Sequence, residues 1–111
     1  MVKIFKLIDV GTVTAGKTVE DSWSPAESYI IHKMVAVETG GTSLADVMLT
    51  ARIDEFVFTK DKVDLSIFQG HVNQVPVLDY PINAHQRLVY AVENNKTVDV
   101  DVHLILILEK K

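Results

Sequence analysis

The chain predicts an all-β fold, an antiparallel eight-stranded β-sandwich, with a jelly roll preferred over an immunoglobulin-like arrangement. Three observations carry this expectation. Val, Ile and Thr make up 34 of the 111 residues, and their stiff β-branched side chains suit a pleated surface better than a helix. From Thr97 to Glu109, Val98, Val100, Val102, Leu104, Leu106 and Leu108 fall on every second position, the period of a strand with one buried face. No segment of helical length shows helical periodicity with caps, so there are no βαβ crossovers and the strands must pair antiparallel.

Taken in order, the first strand is expected at 2–10, closed by Gly11, and the second at 17–23, between Gly16 and Ser24-Pro25. The third, 28–38, ends ahead of Gly40-Gly41; the fourth and fifth, 46–53 and 55–59, precede a turn at Lys60-Asp61-Lys62. Val63 to Phe68 fits one helical turn and is too short for an independent helix. A sixth strand is expected at 75–79, between Gly70 and Pro81, with Pro76 marking an edge position. The seventh and eighth, 86–93 and 97–109, form a hairpin around Asn94-Asn95-Lys96, residues that tolerate positive φ. The inward residues are then Val98, Val100, Val102, Leu104, Leu106, Leu88, Tyr90, Val92, Val47, Leu49, Ala51 and Ile53.

An immunoglobulin-like sandwich wants a central Trp among core positions, whereas the single Trp23 lies early, in a polar stretch. In a jelly roll strand one pairs with eight, two with seven, three with six and eight, and four with five and seven, which makes neighbours of the two longest strands. No repeat, linker or low-complexity tract divides residues 1–111, which are read as one domain.

Composition closes several function classes. A formal charge of -4 with scattered Lys and Arg gives no footprint for a nucleic-acid partner. The absence of cysteine removes disulfide frameworks, thiolate metal sites and cysteine nucleophiles. The amino-terminal segment does not resemble a secretory signal, and the longest apolar run, Leu104 to Leu108, is far below a membrane span, so cytoplasmic synthesis with no membrane partner is expected.

Among candidate chemistries, Asp99, Asp101 and His103 share one strand face, a same-face trio that outward alternation also explains, and no metal or other cofactor is expected. There is no His-x-His pair, and His32 reads as a sheet histidine with a partner. No serine sits in a Gly-x-Ser-x-Gly turn. The acids Asp46, Asp54, Glu55, Asp61 and Asp64 read as solvating loops. No catalytic residue is assigned and the chain is read as a non-enzyme. Trp23 and Tyr80, near loops, are the aromatics that could face a sugar ligand.

The third and eighth strands are apolar on both faces, whereas a free antiparallel sheet is polar outside. Strict alternation puts Tyr29 and Ile31 beside Ile105 and Ile107 on the outer face, a patch expected to be buried between subunits of a homo-oligomer, with a trimer as its symmetry. Through KIFKLIDV, YIIHKMVAVETGG, DVMLTARIDEFVF and RLVYAVENNKTVDVDVHLILIL the chain resembles small single jelly-roll virion proteins: coat, spike-base or capsid-decoration subunits. The resemblance implies a structural role in a virion, by self-association or by docking on a larger capsid or shell protein. Two other classes stay open, a carbohydrate-binding β-sandwich module and a small metal-dependent barrel enzyme.

Overall fold

The alternating last segment becomes the organising strand of the first sheet. In the computed structural model, which describes residues 3–57, 59 and 62–111, β9 (Val100–Lys110) lies between β1 (Lys3–Val13) and β3 (Tyr29–Glu38), and β7 (Tyr80–Ile82) pairs with the far edge of β3. The second sheet runs β2 (Thr18–Trp23), β8 (Leu88–Asn94), β4 (Val47–Ile53) and β5 (Phe56–Val57), with β6 (Val63–Asp64) also on β4. All of these strand pairings are antiparallel. The fold is therefore all-β, two antiparallel sheets of four and five strands in a sandwich-like arrangement over one apolar cluster.

That cluster follows from the period of two. Val100, Val102, Leu104, Leu106 and Leu108 of β9 meet Leu88, Tyr90 and Val92 of β8 and Val47, Leu49, Ala51 and Ile53 of β4, all buried. Val98 is the exception to the expected core: β9 begins only at Val100, and Val98 sits in the preceding loop, 51% exposed.

The pairings of first strand with last, second with penultimate, third with last, and fourth with fifth and penultimate are all present. The partner of β3 on its other edge differs from expectation. It is Tyr80–Ile82 and not 75–79, because Leu78 N and Asp79 N both donate to His32 O (2.8 and 3.4 Å) and Asp79 turns the chain at φ 50°. Residues 75–79 instead run as coil beside β3. The helical turn exists as a single 3-10 turn, Leu65–Phe68, capped by Asp64, whose side chain accepts from Ser66 N. Val2, Phe58 and the Lys60-Asp61 turn lie outside the described residues.

The turn between β8 and β9 is closed by a side chain and not by positive φ, which none of Asn94, Asn95 and Lys96 adopts. Asn94 is fully buried; its Nδ2 donates to Val13 O (2.9 Å) and Val98 O (2.8 Å), while its Oδ1 accepts from Lys96 N (2.9 Å). Gly16 N and Asn94 O pair at 2.8 Å, so the β1–β2 and β8–β9 connections are stitched together at one end of the sheets.

Candidate functional site

The outer face of the four-stranded sheet is set by register and by two bulges. Phe5, Ile107 and Lys33 lie in register across β1, β9 and β3, followed by Leu7, Ile105 and Val35, then Asp9, His103 and Val37. Phe5 is 67% exposed and Leu7 52%, with Val37 exposed and Val35 and Ile105 half-buried. Lys3 and Glu109 border this apolar block at one end, Asp9, Asp101 and His103 at the other.

Two of the four expected patch residues do not belong to it. The register shifts between Ile31 and Lys33, leaving His32 as an extra residue; on the amino-terminal side of that bulge every side chain changes face. Ile31 is 1% exposed within the core, opposite Leu108, and Tyr29 packs partly buried against the core, opposite Lys110. Ile105 and Ile107 do face outward, beside Val35 and Lys33, although Ile107 between Phe5 and Lys33 keeps only 5% exposure. Phe5, Leu7, Val35 and Val37 take the places of Tyr29 and Ile31. The extra residue at His32 is held by Asp79, whose Oδ1 lies 2.6 Å from His32 Nδ1.

The same-face trio also changes membership. Asp99 precedes β9 and accepts from Ala15 N (2.9 Å), so it caps a loop. Asp9, brought beside His103 by the β1–β9 register, replaces it: Asp9 Oδ1 and His103 Nε2 are 3.2 Å apart, and among the described residues Asp9, Asp101 and His103 form the one group whose ligand atoms all lie within 4.8 Å. Within it, Asp101 Oδ2 also accepts from Thr39 Oγ1 at 3.1 Å. The cluster forms the charged rim of the apolar face.

Behind Asp101 stands Glu38, a buried carboxylate on the core side of β3. It accepts from Asp101 N (2.7 Å), Gly40 N (2.6 Å) and Thr42 N (3.2 Å), and these backbone donors, Asp101 first, hold its pKa below the usual carboxylate range. A Cβ on Gly40 would meet Glu38 Oε1 at 3.0 Å, so glycine lets the loop close on the carboxylate.

The two aromatics singled out as ligand-facing part company. Trp23, paired with Leu88 at the end of β2, is half-buried and packs on the core, as Tyr80 does. Tyr80 stands at the opposite side of the sandwich, where the edges of β7 and β5 face each other. Its ring meets Phe56 edge to face, with centroids 5.3 Å apart at 73°. The two rings, with Ile53, Pro81, Asn83 and Gln86, line a cavity of about 330 Å³. Phe56, Asn83 and Gln86 escaped the sequence reading. The available signal was the two-residue Asp54-Glu55 turn, after which a strand opening on Phe56 places that ring at a sheet edge.

No helix among the described residues is long and apolar enough to cross a membrane. Compared with known proteins, the chain matches no family model and no curated sequence.

Proposed function

We propose that the protein is a non-enzymatic structural subunit that self-associates through the outer face of β1, β9 and β3, in the manner of the small jelly-roll virion proteins it resembles. The observation that carries this reading is the apolar block on that face, Phe5, Leu7, Val35, Val37 and Ile105, bordered at both ends by charged residues. An apolar centre within a polar rim is the anatomy of a subunit interface, and a monomeric sheet has no reason to leave Phe5 and Leu7 in water. The strand orders β1-β9-β3-β7 and β2-β8-β4-β5 support jelly-roll topology, because the first strand pairs with the last, the last with the third, and the second sheet carries the strands between them in the matching order. The occupant is a second copy of this chain, with a closed trimer as the proposed assembly.

Sizing by light scattering across micromolar concentrations tests it. Wild type is expected to scatter as a trimer and Ile105→Asp as a folded monomer, because the substitution places an unpaired charge inside the contact. A wild-type monomer at all concentrations overturns self-association, and a stable complex with a different shell protein through this face transfers the contact to that partner.

A further inference from the structure

The cleft between the β5 and β7 edges lies at the opposite side of the first sheet from edge strand β1, and its chemistry differs from that of the outer face. Its six lining residues, Ile53, Phe56, Tyr80, Pro81, Asn83 and Gln86, carry no formal charge. Two are aromatic, and Phe56 is 53% exposed although the register of β5 on β4 places it on the core-facing side, opposite buried Ile53. Two are amides whose orientation is fixed by donors that only an oxygen can meet. Asn83 N donates to Gln86 Oε1 (2.7 Å) and Lys111 Nζ to Asn83 Oδ1 (2.8 Å), so each amide keeps its NH2 group as a donor for something else.

The cleft is also preformed. Gln86 N donates to Asn83 O (3.0 Å), closing the turn that carries both amides, and Ala84 N and His85 N are tied to Ser28 Oγ (3.0 Å) and Pro25 O (2.9 Å). On the other wall, Asp54 N donates to Arg87 O (2.9 Å) and Arg87 N to Asp54 Oδ1 (3.0 Å), which fixes the β4–β5 turn against the start of β8. The rings and the amides therefore hold their separation without a ligand, and binding needs little ordering of the walls.

We propose that this cleft binds an uncharged pyranose unit of a glycan. The flat apolar C–H face of a sugar ring suits an exposed aromatic ring, and ring and hydroxyl oxygens accept from the two amide NH2 groups. A volume of about 330 Å³ lies at the small end of ligand pockets, which fits one or two sugar rings and not a long chain. The described lining is uncharged, which favours a neutral sugar, and acidic glycans are the comparison because the Lys111 ammonium stands beside Asn83. The site is independent of the assembly face, so either can fail without the other.

The test is a glycan array carrying neutral, sialylated and sulfated oligosaccharides, followed by saturation-transfer NMR with the best free neutral oligosaccharide. Neutral glycans are expected to bind wild type and Ile105→Asp alike. Phe56→Ala and Asn83→Ala, each changing an exposed side chain, should weaken binding about tenfold or more, with unchanged thermal unfolding. Trp23→Phe should leave binding unchanged. The absence of glycan binding up to about 10 mM, a preference for acidic glycans, or full binding by Phe56→Ala would overturn the proposal.

Discussion

At Glu38 one side chain holds three backbone donors, and its ionisation is part of the fold. The folded carboxyl titrates below the ordinary carboxylate range, so its contribution is present above the unfolded pKa and is lost as pH falls through the folded value. Glu38→Gln keeps an oxygen for Gly40 N and Thr42 N but offers an NH2 group to Asp101 N, which then lacks its acceptor. The variant should unfold at lower urea than wild type at pH 7. The gap should begin to close as pH falls through the ordinary carboxylate range, about 4.3, and vanish only below it, where folded wild-type Glu38 is neutral too; a gap of constant size down to acid unfolding would show that the charge does not matter. Asp64 and Glu93 are held low as well, by Ser66 and by Lys62, and remain in both proteins, so the difference curve isolates Glu38. Asn94 works in a related way, three bonds from one buried amide replacing the positive-φ turn that its sequence suggests.

Elements were legible where one face alone is apolar. The row from Val100 to Leu108 and its partners on β4 and β8 permit a single register, because a slip of one residue would bury Asp101 and His103 and expose the leucines. In Tyr29–Glu38 both faces are apolar, so nothing in the pattern marks the extra residue at His32, and only the Asp79 contact and the β9 register reveal it. The groove residues were illegible for another reason: Phe56 and Tyr80 are distant in sequence and meet only because β5 and β7 are edges of different sheets. Edges also explain the lysines of β1. Lys6 lies opposite Leu106, on the core-facing side of an 11-residue edge strand, yet is exposed, and the bulge before Gly11 (φ 81°) twists the rest of the strand. Inward-pointing charge and bulges are devices that stop strand addition at an open edge. Lys6→Val should therefore create a second mode of association. Combined with Ile105→Asp it should give growing aggregates by light scattering, whereas Ile105→Asp alone stays monomeric; a monomeric double variant would mean that the edge is guarded by other means.

Across the whole molecule, neighbouring residues on β9 report on two different layers. Leu104 is 1% exposed, in register with Ile8 and Ala36, while Ile105 turns to the outer face between Leu7 and Val35. Leu104→Ala should cost about 2–5 kcal/mol through lost burial and the cavity left behind, without touching the outer face. Ile105→Asp should leave the isolated subunit's stability nearly unchanged and abolish association. Mass action separates the two, since a subunit that assembles only when folded gains stability with its own concentration. The urea midpoint of wild type should accordingly rise as protein concentration rises. Leu104→Ala should lie below it at every concentration with a similar slope, because the outer face is intact, and Ile105→Asp should show no slope at all. If wild type itself has a midpoint independent of concentration, Phe5, Leu7 and Ile105 are not held between copies of this chain, and the apolar face must instead meet a partner of different sequence.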